Sequence, residues 1–195
     1  MLSRTPLQEI ACQQVMIADA SVFSVQWTTL PTTTVGVFSA EEMLYRYLHY
    51  IKKCTLTLIR PVILESSIEF RLIGTELSLI SFWPPVHTDN FATVPIRGGF
   101  LVQPHRRARG EFRFGVEPEP IPGRIRISLQ LSDFYPSILG GKSPSPIRFW
   151  IYRITQATLH RLVAIRFLSL LYHELSGCSA GVRVVKIAIQ VGKPV

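Results

Sequence analysis

The stretch Ser145–Gly177, SPIRFWIYRITQATLHRLVAIRFLSLLYHELSG, decides the fold class. Ser145 can cap a helix whose first position is Pro146, where a missing N–H costs nothing, and Gly177 can take the left-handed conformation that closes the far end. No Gly or Pro interrupts the run between these two stops. Ile147, Ile151, Ile154, Thr158, Leu162, Ile165 and Tyr172 recur at steps of three, four or seven. That spacing predicts one buried stripe on a helix roughly 45 Å long at about 1.5 Å per residue, with Phe149, Trp150, Tyr152 and Phe167 packed as core.

Upstream the chain reads mostly as sheet for this helix to cover. Residues 6–17 suggest a short amphipathic helix, and residues 18–37 are β-like, with Pro31 splitting them into two strands or bending one. Ser39-Ala40-Glu41-Glu42 is a capping box opening a helix that carries Met43, Leu44, Tyr47, Leu48 and Ile51 on one face and ends near Lys53. From Cys54 the period changes to two. Strands are expected at 55–59, 67–72, 76–83, 92–103 with a bend at Gly98-Gly99, 111–117 and 124–131. In the last two, Phe112, Phe114, Val116, Ile125, Ile127, Leu129 and Leu131 alternate with Arg113, Arg124, Arg126 and Gln130, the signature of half-buried antiparallel sheet. The expected fold is α+β, a curved antiparallel sheet of about six to seven strands against a long C-terminal helix. It is read as one domain, with a core over residues 19–177 and an extension over 178–195, where 182–191 is left open between a short strand and an unattached tail.

At 195 residues with 47% hydrophobic side chains, the chain can fill a sizeable core and is not disordered. Mean hydropathy is +0.26, at the apolar end for soluble proteins, which points to a lipophilic interior or to membrane contact. Arg148, Arg153, Arg161, Arg166 and His160 interrupt the long helix too often for a bilayer span. The first half, residues 1–96, carries six Lys/Arg against eight Asp/Glu, and the second half fifteen against five. The basic half suits phosphates of nucleic acid or anionic lipid, or is simply a solvated face. Cys12, Cys54 and Cys178 form neither a disulfide framework nor a zinc pattern, and Pro6, Glu9, Gln13 and Gln14 argue against expecting a secretory signal in the first residues. The expected location is cytoplasmic, with membrane association open.

The order strand, capped helix, antiparallel strands, long C-terminal helix resembles the helix-grip fold of the START and Bet v 1-like (SRPBCC, polyketide cyclase-like) superfamily. The resemblance covers roughly residues 19–177 and rests on element order, not on a motif. It implies a cavity between sheet and helix for an apolar molecule. That superfamily commonly has two short helices after the first strand, whereas only one is identified here, and no functional residue is carried over by position.

No phosphate-binding glycine loop, metal-ligand pattern or nucleophile motif is present, so neither a cofactor nor a metal is expected. Arg153, Gln156 and His160, at i, i+3 and i+7, share a polar stripe. It has two possible homes. Along the solvent side it needs no partners; in the cavity, near Tyr152 and Leu159, Gln156 and His160 orient the polar end of a ligand, with Arg153 as counterion at the mouth. A neutral His160 would also serve as general base in an enzyme. His105, Arg106, Arg107 and Arg109 form a basic hairpin tip suited to lipid headgroups or RNA, or merely to solubility. His87 and Asp89 are an acid–base pair if they face a cleft, and otherwise a solvated turn. The leading expectation is a binder of a hydrophobic small molecule or lipid. The alternatives are an enzyme of the polyketide cyclase/dehydratase type and a peripheral binder of anionic membrane or RNA, with nucleic acid the least favoured partner.

Overall fold

The computed structural model describes residues 7–106, 109–141 and 144–195, apart from the side chain of Arg106. The fold is α+β: one open sheet with the helices packed across one face. Its strands are β1 (Leu7–Met16), β2 (Val22–Pro31), β3 (Ile59–Leu64), β4 (Ser67–Leu72), β5 (Ser78–Phe82), β6 (Val86–His87), β7 (Phe91–Gly98), β8 (Glu111–Pro118), β9 (Arg124–Phe134), β10 (Gly181–Lys186) and β11 (Lys193–Pro194). They lie in the order β10-β1-β2-β9-β8-β7-β5-β4-β3, with β11 also on β1 and β6 on β7. Every pairing is antiparallel except β1 with β10. The eleven strands exceed the six to seven expected, largely because both ends of the chain join the sheet.

Leu7–Met16 is a strand and not the short helix that its composition suggested. It lies between β2 and β10, with Cys12 opposite Gln26 and Ala11 opposite Val185. Gln8 and Gln14 turn toward the helices, while Gln13 turns the other way and grips the returning tail. The Gln13 carboxamide oxygen accepts from the N–H groups of Ile189 (2.8 Å) and Gln190 (3.0 Å), and its Nε2 donates to the Gln190 carbonyl at 2.6 Å. Polar side chains thus occupy covered positions on both faces, which erases the alternation that marks a strand in sequence. Within residues 178–195, Gly181–Lys186 and Lys193–Pro194 accordingly join the sheet as β10 and β11.

Pro31 ends β2 and is followed by one helical turn, α1 (Thr32–Val35), where either a second strand or the continuation of a bent one was the expectation. With α2 (Ala40–Cys54), two helices therefore follow β2, one more than the sequence reading identified. At the start of α2, Ser39 Oγ accepts from the Glu42 N–H at 3.1 Å, but the Glu42 carboxylate pairs with Arg46 at 2.7 Å, so half of the capping box is replaced by an i,i+4 ion pair. Leu56 and Thr57 sit at positive φ, 51° and 66°, closing the end of α2 and delaying β3 to Ile59. Gly98 and Gly99, with φ of 155° and 126°, bend the chain after β7; a Cβ on Gly99 would stand 2.5 Å from the Leu79 carbonyl oxygen, so only glycine allows that approach.

The C-terminal helix has the expected ends. Ser145 Oγ accepts from the Arg148 N–H, Pro146 takes the first position, and Gly177 closes the helix at φ 67° with its N–H on the His173 carbonyl. Its middle differs from a plain α-helix: α3 (Pro146–Tyr152) and α4 (Thr158–Ser176) are joined by a π turn, Arg153–Ala157, in which the Thr158 N–H reaches the Arg153 carbonyl five residues back. The expected buried stripe is not the buried face. Ile151, Ile154 and Leu162 are exposed and Ile165 is half-buried, whereas Phe149, Tyr152, Ala157, Ala164, Phe167, Leu168 and Leu171 pack inward. Trp150, expected in the core, is exposed as well. Ala157 and Ala164 bring the backbone close enough for β1 to bond to it, with Gln14 Nε2 donating to the Ala157 carbonyl at 3.2 Å and Gln8 Nε2 to the Leu168 carbonyl at 3.3 Å. Those bonds select the small-residue face over the isoleucine face. Beside this helix, α2 covers β7, β8 and the β3 end and buries Met43, Leu44, Tyr47, Leu48 and Ile51 as its spacing predicted.

Candidate functional site

The helix-facing side of the sheet changes character across its width. Rows read from the strand register run Cys12, Gln26, Leu129, Phe114 and, one step along, Gln14, Ser24, Leu131, Phe112. The β8 and β9 end is apolar. The β1 and β2 end is polar, yet Gln8, Gln14, Ser24, Gln26 and Thr28 are all buried. Buried amides need partners, and most of these find them: Gln26 Nε2 donates to Ser24 Oγ at 2.8 Å and lies 3.7 Å from Cys12 Sγ, and Thr28 Oγ1 donates to the Glu9 carbonyl at 3.0 Å. Burial pushes the Cys12 thiol up, so it stays protonated.

Among the described residues, three buried polar atoms find no hydrogen-bond partner here: Gln26 Oε1 on the sheet, and Gln156 Oε1 and His160 Nε2 on the helix. Each is shut off from solvent. A buried polar atom without a partner costs about 1–3 kcal/mol, so three in one layer are a sizeable charge against stability. Desolvation lowers the His160 pKa from 6.5 to about 4, which keeps the imidazole neutral at pH 7. Its ring meets Phe112 edge-on at 6.0 Å. The π turn ends three residues before His160 and contains Gln156; such turns occur mostly singly and frequently at functional sites.

Around this layer the aromatic packing is continuous. Phe112 stands 5.3 Å from Tyr47, and Tyr47 stands 5.1 Å from Phe167, both edge-on. Phe167 in turn forms part of the floor of an open groove of about 630 Å³ between α2 and α4, together with Tyr50, Leu170 and Leu171, while Arg46 and Glu174 pair across its rim at 2.9 Å. The groove is thus separated from His160 by Tyr47 and Phe112.

Of the residues singled out in the sequence, Tyr152, Gln156 and His160 come together on the inward side of the helix. Tyr152 is buried, and desolvation raises its phenol pKa well above the ordinary value. Arg153 is exposed and stands apart from them. Arg109 is exposed and lines a smaller cleft, about 360 Å³, with Asp19, Asp133 and Tyr135, where the Tyr135 hydroxyl donates to Asp19 Oδ2 at 2.5 Å. That bond and those from Ser21 outweigh the desolvation of Asp19 and hold its carboxyl at about 2. Arg107 and the Arg106 side chain lie outside the described residues. His87 and Asp89 are both exposed in their loop. Sequence reading missed Gln26, Gln14 and Cys12. The signal for them is the period-two run of polar side chains at 24, 26 and 28, which reads as a wet strand face until a helix is known to cover it.

The chain matches no described protein family and no curated protein. Among solved structures it is similar to an uncharacterized protein from Bacillus thuringiensis, with a TM-score of 0.40 and 10% identity over 77% of this chain and 98% of that one. It is similar to CalU16 from Micromonospora echinospora, with a TM-score of 0.35 and 13% identity over 87% of this chain and 91% of the other. It is also similar to the di-domain ARO/CYC StfQ from the steffimycin biosynthetic pathway, with a TM-score of 0.43 and 11% identity over 80% of this chain and 52% of that one. At these scores the likenesses assign no activity to this chain.

Proposed function

We propose that this protein binds a hydrophobic small molecule or lipid in the layer between the sheet and the C-terminal helix, with the polar end of the ligand held by Gln26, Gln156 and His160. The supporting observation is the trio of buried, unpartnered atoms, two amide oxygens that accept and one imidazole nitrogen that donates or accepts according to tautomer. A hydroxyl or phenol satisfies such a set, and the aromatic rings of Tyr47, Phe112 and Phe167 provide the apolar surroundings. The α2–α4 groove is the entrance in this reading, and displacement of the Tyr47 ring opens the way inward. Arg153 takes no part, because it is exposed on another side of the helix.

Native mass spectrometry of the purified protein, before and after incubation with a total lipid extract, tests this directly. A bound mass is expected in wild type and is lost or much reduced in Gln156→Leu and His160→Leu, both of which remain folded. Failure to bind any mass, or wild-type occupancy in both variants, overturns the reading.

One observation favours a catalytic variant of the same site: burial keeps His160 in its basic, neutral form at pH 7. Proton abstraction from a bound apolar substrate, of the polyketide cyclase/dehydratase kind, needs that form. Chemical conversion of the retained ligand by wild type but not by His160→Gln is the result this second reading requires.

A further inference from the structure

The C-terminal helix also has an outward face, and that face is apolar. Ile147, Trp150, Ile151, Ile154 and Leu162 are exposed by 73%, 60%, 38%, 49% and 44% of their surface. They recur at helical steps and form one ridge along α3, the π turn and the start of α4, opposite the side that packs on the sheet. Single exposed apolar residues are ordinary, whereas a ridge of five that includes a tryptophan marks a contact surface.

The charges around the ridge identify the contact. From residue 134 to residue 173 the chain holds no Asp or Glu but five Lys/Arg. Four of them, Arg148, Arg153, Arg161 and Arg166, are exposed on the helix that carries the ridge. Apolar side chains with cations and no acidic residue beside them are the chemistry of a helix lying in the interface of an anionic bilayer, with the apolar ridge among the acyl chains and the guanidinium groups at the headgroups. Two other occupants fit less well. A second copy of the chain would set Arg153 and Arg161 against their own counterparts with no acid between them. Nucleic acid would use the arginines but leave the isoleucines in water.

We propose that the outward face of this helix docks the protein on an anionic membrane surface, through Ile147, Trp150, Ile151, Ile154 and Leu162 with Arg153 and Arg161. This site is separate from the interior one, and either can be true without the other. It also places the lipid contact on the helix, not on the basic hairpin tip.

Co-sedimentation with vesicles tests the proposal, using phosphatidylcholine alone and phosphatidylcholine containing phosphatidylserine. Wild type is expected to bind the anionic vesicles and not the neutral ones, with the Trp150 emission shifted to the blue. Arg153→Gln with Arg161→Gln lowers the partition coefficient roughly 30-fold, from about fivefold per cation near such a surface. Trp150→Ser with Ile154→Ser lowers it roughly tenfold or more through lost apolar burial. Both double variants keep the wild-type melting temperature, since the four side chains are exposed. No binding by wild type, equal binding to neutral vesicles, or unchanged binding in both variants overturns the proposal. So does a concentration-dependent dimer that Trp150→Ser with Ile154→Ser abolishes, because it assigns the face to a second copy. Retention of RNA that the arginine variant loses and the apolar variant keeps, without vesicle binding, assigns it to nucleic acid.

Discussion

The two sides of the C-terminal helix differ in a direction opposite to that expected from hydropathy. Its inward side carries Gln156 and His160 among Tyr152, Ala157, Ala164, Phe167 and Leu168, while its outward side carries isoleucine, tryptophan and leucine. Both sides contain apolar residues, so hydrophobicity alone does not choose between them. The choice follows from geometry: alanines at 157 and 164 let the helix backbone reach the glutamines of β1, and an isoleucine ridge turned inward would hold the two apart. Burial here records which side fits the sheet, and an apolar side chain left outside is free for another surface.

The largest effect expected from this contrast is at Leu168, which is fully buried. Leu168→Ala removes packing between helix and sheet and should cost about 2–5 kcal/mol, read as a lower denaturation midpoint at an unchanged slope. A loss under about 1 kcal/mol would mean that the inward face is not the structural one.

The next effect concerns pH. His160 has a folded pKa of about 4 against 6.5 when unfolded, so between these values the unfolded chain binds a proton that the folded chain refuses. Stability is therefore fully present above pH 6.5 and declines as pH falls toward 4, by an amount on the order of 3 kcal/mol if the imidazole stays buried. His160→Leu should flatten the melting-temperature profile over that window. Below it, a further and smaller decline is expected as Asp19, whose carboxyl is held at about 2 by Tyr135 and Ser21, takes up its proton. A wild-type slope retained in His160→Leu would place the titrating group elsewhere.

The smallest effect sharpens the comparison most. The periodicity of the isolated sequence puts Leu162 in the core, where Leu162→Asp would unfold the protein, but the structure places it outward and 44% exposed. The substitution should change stability by no more than about 0.5 kcal/mol while weakening any binding to anionic vesicles. Thermal unfolding monitored by circular dichroism distinguishes the two placements in one measurement.

The features legible in advance are those written in short-range chemistry. Ser145, Pro146 and Gly177 mark the helix ends, Ser39 starts α2, and the alternation of Phe112, Phe114, Ile127 and Leu129 marks β8 and β9. The polar stripe of the helix was also legible as a set of residues, but not its side. Gln156 and His160 face inward and Arg153 does not, a separation that occurs within and just after the π turn. No local signal in the sequence announced that turn. Gln26 was hidden for a different reason: a polar residue in a strand looks solvated, and only the cover of a helix more than a hundred residues later makes it buried.

By itself, then, the sequence determined where the long helix begins and ends, where the capped helix starts, and which middle segments alternate as strands, because caps and periods depend on neighbours within a few residues. Tertiary structure alone decided the rest. Leu7–Met16 became a strand because it pairs with β2 on one side and with β10 on the other, whose partner residues lie 174 positions away, as at Glu9 and Arg183. The buried face of the helix was set by how closely its backbone approaches β1, and the polar trio exists only where sheet and helix meet. Burial and long-range pairing are properties of the packed chain, and no window of local sequence contains them.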